Sequence, residues 1–108
     1  MLFKEGYLNI PLKLEIPVTL TEFKLGLMFR ESLDEDCGML FVFEESSEKS
    51  FHMNHTQIPL DIAFINASGI VESIKELQPL NPVPVYSDAE VLYALEVNRG
   101  WFAENNVE

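Results

Sequence analysis

Apolar and polar positions alternate in four stretches of the chain, and each alternation predicts a strand. Leu12, Leu14, Ile16 and Val18 alternate with Lys13, Glu15 and Pro17, the period-2 pattern of a half-buried strand. Pro17 places it at a sheet edge or a strand end. Phe51 and Met53 face away from His52 and Asn54 over Phe51–Thr56. Leu60, Ile62 and Phe64 alternate with Asp61, Ala63 and Ile65. Val91, Tyr93, Leu95 and Val97 alternate with Leu92, Ala94 and Glu96. Met39–Phe43 is continuously apolar and reads as a strand buried on both faces. Ile70–Leu77 reads as the return strand after Asn66-Ala67-Ser68-Gly69, a run with hairpin-turn chemistry. Upstream, Lys4-Glu5-Gly6 predicts a turn and Leu2–Ile10 a hairpin.

Helical signals are few. Thr19-Leu20-Thr21-Glu22 fits a capping box, with Val18 and Phe23 as the ends of a hydrophobic staple. About three turns are expected to follow, with Leu20, Phe23, Leu27 and Met28 on one face. Gly26 falls inside that span, and a close backbone approach is the expected reason for it. Trp101–Asn105 predicts one further turn. Glu44–Ser50 reads as a polar connection and Gln78–Glu90, with three of the six prolines, as an ordered surface loop. The sum is an α+β class: one compact domain over residues 1–108, with a mostly antiparallel, curled or barrel-like sheet of about six strands and one or two short helices.

Composition narrows the function classes. The 108 residues suit one core, and 47% of them are hydrophobic, which argues against disorder. Eighteen acids against seven bases give a net charge of −11. Such a surface repels phosphate backbones and anionic lipid, so neither nucleic acid nor a membrane is an expected partner. A single cysteine, Cys37, excludes an internal disulfide and points to a reducing compartment. The N-terminal stretch lacks the pattern of a secretory signal, and no apolar run reaches the about 20 residues of a membrane helix. The expected location is cytoplasmic, and the oligomeric state is left open.

Four blocks in order, GLMFR at Gly26–Arg30, GMLFVF at Gly38–Phe43, FHMNHTQIPLDIAFI at Phe51–Ile65 and ALEVNRG at Ala94–Gly100, resemble the family known as domain of unknown function 192. The resemblance spans nearly the whole chain. It implies a compact α+β domain with a β-barrel-like core and no agreed activity. The family usually has Trp at the place of His52, Lys at Asn54 and Asn at His55. Many relatives carry an export signal, which this N-terminus does not resemble. Relatives also continue past the position of Glu108 with a Gly-Asp pair and a short strand, so either an open sheet edge or a chain clipped short of its natural end is expected here.

Candidate site residues gather in and around Phe51–Ile65. His52 and His55, three apart, could ligate a metal on a helical turn, but on a strand they point to opposite faces, so no shared metal is expected unless the chain bends at Asn54. Asp61 lies within an apolar run, where a carboxylate is costly to bury alone. It could serve as a general acid/base or a ligand anchor. It could equally cap backbone N–H groups or pair with Arg30 or Arg99, as buried structural carboxylates commonly do. Arg30 and Arg99 could fork onto an anionic ligand or hold an acid in place. Asn98-Arg99-Gly100 most simply makes a turn. The phenylalanines and methionines could wall an adaptable pocket, or be core. No Gly-rich phosphate loop, paired-cysteine motif or Ser-His-Asp order is present, and no cofactor is expected.

The leading expectation is a small soluble binding module. It would hold a small molecule or peptide in a cleft between Gly26–Phe43 and Phe51–Ile65, with His52, Asn54, His55, Asp61, Arg30 and Arg99 as ligand contacts. An alternative is a hydrolase or isomerase using Asp61 with a nearby histidine. A third is an adaptor acting through a sheet edge.

Overall fold

The computed structural model describes residues 12–107 together with an antiparallel pair, β1 (Leu2–Phe3) and β2 (Gly6–Tyr7). The rest of the expected N-terminal hairpin lies outside the described residues. The main sheet has five strands in the order β3 (Lys13–Glu15), β4 (Cys37–Phe51), β7 (Val85–Asn98), β5 (Leu60–Ile65) and β6 (Val71–Leu77). β3 runs parallel to β4, and every other pairing is antiparallel. Among the described residues the sheet is mixed and open, with β3 and β6 at its edges, so the barrel-like closure expected from the sequence does not form there. The radius of gyration, 12.8 Å, matches the roughly 13 Å of one domain of this length.

The two long strands absorb segments that carry no hydrophobic alternation. Glu44–Ser50, read as a connection, is the outer half of β4, and Val85–Glu90, read as loop, is the outer half of β7. These halves pair as Ser47↔Val91, Glu48↔Glu90, Ser50↔Tyr86 and Phe51↔Val85, with register shifts between. Ladder hydrogen bonds rather than side-chain burial hold them extended. Buried Ser87 secures the irregularity: its hydroxyl accepts from the Lys49 N–H at 3.0 Å and donates to the Ala89 carbonyl at 2.6 Å. Conversely, only Phe51 of the expected strand Phe51–Thr56 is extended. The chain turns at Asn54 and His55, with Thr56 N–H donating to Met53 O at 3.0 Å.

Helix α1 (Leu20–Leu25) begins at the predicted capping box. Glu22 N–H donates to Thr19 Oγ1 at 3.1 Å, and Thr19 N–H donates to Glu22 Oε1 at 2.9 Å. The staple does not close, because Val18 is 80% exposed while Phe23 packs inward on the core. The helix stops after six residues instead of about three turns. Gly26 is its C-cap at φ +49°, a conformation that disfavours side chains, and a Cβ there would sit 3.6 Å from the tip of the Phe41 ring. The close neighbour is a side chain, not the backbone expected. Helix α2 (Trp101–Glu104) forms where one turn was predicted.

Core residues divide between the two faces of the sheet. One face carries Met39, Phe41, Leu60, Ile62, Phe64 and Ala94, covered by Leu27, Leu33, Met53 and Ile58. The other carries Ala63, Ile65, Val71, Leu95 and Val97, covered by Trp101, Phe102 and Val107. A central strand between two packed layers must be apolar on both sides, which is why β7 reads as Val-Leu-Tyr-Ala-Leu with little polar interruption.

Candidate functional site

A cleft of about 270 Å³ opens on the α1 side of the sheet. One wall is the end of α1 and the Gly26–Met28 turn, and the other is Ser50–Met53 with Thr56. Phe41, Phe43 and Glu96 complete the lining. Four rings cluster around it, with Phe23 5.9 Å from both Phe41 and Phe43, and Phe51 5.0 Å from Phe41. Gly26 turns the chain at the end of α1 with φ +49°, next to the tip of the Phe41 ring.

Glu96 is the chemically unusual member. It lies on β7 between Met39 of β4 and Ile62 of β5, apolar neighbours on both sides. It is 5% exposed. Among the described residues its carboxyl accepts no hydrogen bond and forms no ion pair. Burial alone pushes its pKa up from 4.5 to about 7, since the charged form loses hydration without a compensating partner. A carboxyl in this state can hold a cation, accept from a donor, or exchange a proton near neutral pH.

The alternation of the sequence does not single out Glu96, because Val91, Tyr93, Leu95 and Val97 read as the apolar face and leave Glu96 on the polar one. The available signal was the same one that drew attention to Asp61: a single acid inside an otherwise apolar run.

Of the six expected contacts, the structure brings His52 alone to the cleft. His52 is exposed, and its Nδ1 accepts from the Asn54 N–H at 3.2 Å. Asn54 is exposed, and its carbonyl accepts from the buried Thr56 hydroxyl at 3.4 Å. His55 stacks on Phe29 at 5.1 Å between centroids, and its carbonyl accepts from Phe29 N–H at 2.8 Å. Both residues have positive φ, +58° and +66°, so the two turns flanking the cleft lock together through a strained contact. His52 lies just past the end of β4 and His55 in a turn, so neither sits on the expected strand. No group of three or more potential metal ligands occurs among the described residues.

Arg30 makes a forked pair with Glu15, at 2.8 and 2.6 Å, which ties the end of β3 to the turn after α1. This pairing holds the Glu15 carboxyl below its ordinary pKa. Asp61 accepts from Gly100 N–H at 2.9 Å and lies 3.4 Å from Arg99 Nε. Arg99 also donates to the carbonyls of Leu60, at 3.3 Å, and Leu77, at 2.9 Å. Asp61 and Arg99 therefore clamp the start of β5, the end of β6 and the turn into α2. Asp61 falls on the α2 face with Ala63 and Ile65, where it borders a hollow with Val71 and Phe102. His52 lines the cleft on the opposite face, and neither histidine hydrogen-bonds Asp61. The expected Asp61–histidine pair does not form, because side chains alternate faces along β5.

An open mixed sheet with a short helix on each face and an aromatic cleft on one of them defines a compact α+β domain. The family Uncharacterized ACR, domain of unknown function 192, matches residues 3–108, and the chain belongs to it. A protein of unknown function from Novosphingobium aromaticivorans is 32% identical, with a TM-score of 0.85 over 90% of this chain and 70% of that one. A Sinorhizobium meliloti protein, provisionally described as a transcription regulator, is 30% identical, with a TM-score of 0.89 over 99% of this chain and 83% of that one. No curated protein matches the chain. The family carries no assigned function. No helix among the described residues is long and apolar enough to cross a membrane.

Proposed function

We propose that the protein is a small binding module that takes a small, largely apolar molecule into the cleft between the Gly26–Met28 turn and Ser50–Thr56. The observation that carries this is Glu96, a residue 5% exposed that lines a cavity of about 270 Å³ and whose carboxyl has no protein partner among the described residues. Unpaired buried acids are costly, and a ligand is the natural source of the missing partner. His52 and Thr56 supply further polar contacts beside apolar walls. Asp61, Arg30 and Arg99 serve as structural ties in this reading. The net charge of −11 favours a small ligand over nucleic acid.

A proton-transfer enzyme is the second reading, favoured by a carboxyl whose pKa lies near 7. Glu96 would take the role first considered for Asp61. An adaptor acting through a sheet edge has less support. β3 is three residues long, and β6 carries Glu72, Lys75 and Glu76, charges that discourage edge pairing.

Methyl NMR of the methionines tests the binding reading. A panel of small apolar fragments is expected to move the Met28 and Met53 methyls saturably while leaving Trp101, beneath the other face, unmoved. Failure of every fragment to move either methyl would refute it.

A further inference from the structure

Glu96, the four rings that line the same cleft and the charge of the whole chain select among ligand chemistries. We propose that the cleft binds an organic ammonium ion, an amine carried on an apolar body, with its charge against Glu96 and the phenylalanine faces. This rests on the binding reading above and narrows it.

A neutral hydrogen-bond donor would satisfy one lone pair of Glu96 and leave its charge unopposed. A fixed positive charge offsets the lost hydration directly, because Coulomb attraction strengthens in a poorly solvated site. The walls add a second source of attraction. Aromatic faces carry the negative part of the ring quadrupole and attract ammonium groups within about 6 Å. Phe43 already uses one face in this way, with Lys49 Nζ 4.4 Å from its centroid. An anionic ligand would meet an uncompensated carboxylate and a chain of net charge −11, whereas a cation is drawn to both. The remaining titratable groups lining the cleft are Lys24 and His52. Both are exposed, and neither bonds Glu96. They leave the interior with one acid and no buried base.

The test compares benzylamine with benzyl alcohol, which share size and ring and differ in charge. Binding is followed by the Met28 and Met53 methyls at pH 8 in the wild-type chain and in Glu96→Gln. Benzylamine is expected to bind at least tenfold more tightly than benzyl alcohol, and the preference is expected to vanish in Glu96→Gln while the alcohol still binds. Retained alcohol binding shows that the variant keeps its cleft. Equal affinities in the wild type, or a preference for the alcohol, would overturn the ammonium assignment and leave the binding module standing. A preference that survives in Glu96→Gln would also overturn it, by removing Glu96 from the recognition. Loss of both probes from the wild-type protein would count against both readings together.

Discussion

Replacing Glu96 by Gln keeps the shape of the side chain and removes its charge, so it isolates what burying that charge costs. Below about pH 4.5 the carboxyl is protonated in the folded and unfolded chains alike, and the charge imposes nothing. Between 4.5 and about 7 the unfolded chain ionises while the folded one holds its proton, so the folded state loses relative stability as pH rises. Above about 7 both forms are ionised and the penalty is complete. A displacement from 4.5 to about 7, at about 1.4 kcal/mol for each tenfold change in proton affinity, comes to roughly 3 kcal/mol. Glu96→Gln should therefore gain roughly 3 kcal/mol on the wild type between pH 4.5 and pH 8. In a domain of about 100 residues that is a relative rise in Tm on the order of 10–20 °C. The assay is urea unfolding of both proteins across this range. Comparing the difference at the two ends cancels any pH-independent packing effect of Gln. A stability difference that stays constant from pH 4.5 to 8 would refute the argument, since it would mean that Glu96 is solvated or already paired.

Other consequences can be checked by thermal or chemical unfolding. In Gly38→Ala the new Cβ would lie 2.9 Å from the Glu96 carbonyl and 3.1 Å from Val97 Cγ1, so a loss of about 1–3 kcal/mol is expected. Equal stability would show that β4 and β7 can separate there at no cost. Asp61→Ala removes the acceptor for Gly100 N–H and an acid beside Arg99, for a loss of about 2 kcal/mol. Fragment affinity in the cleft should not change, and a lost ligand would reinstate Asp61 as a site residue. Thr19→Ala breaks the capping box, with about 1 kcal/mol expected from unfolding curves. The forked Glu15–Arg30 pair is partly exposed and should contribute under about 1 kcal/mol. Because it lowers the Glu15 pKa, that contribution is present above the ordinary carboxylate pKa and is lost as pH falls through the lower folded value. A Glu15→Gln variant whose deficit grows rather than shrinks in acid would contradict this.

Local signals in the chain were sufficient for several elements. The Thr19–Glu22 box, the Asn66–Gly69 turn, the single turn at Trp101 and the strands at Leu60 and Val91 each rest on contacts within a few residues, or on a side-chain period that any half-buried strand must show. The family blocks and the placing of a cleft beside Phe51 were likewise accessible. Three matters were not. The outer halves of β4 and β7 are extended because they pair with each other across more than 30 positions of sequence, and backbone pairing leaves no hydrophobic alternation to read. Helix α1 ended at Gly26 because that residue takes a positive φ as the C-cap, where the sequence pattern alone continued the apolar face to Met28.

The chemistry of the acids was decided the same way. Asp61 and Glu96 look alike in sequence, each a lone carboxylate in an apolar strand. The fold gives Asp61 a backbone N–H and Arg99, because its face of β5 points toward the turn into α2. It gives Glu96 only Met39, Ile62 and an open cleft, because its face of β7 points the other way. Composition and periodicity determined that this chain is an acidic α+β domain with a buried apolar sheet. Which of its two embedded acids is satisfied, and which waits for a partner, depends on register and facing, and those exist only once the strands have paired.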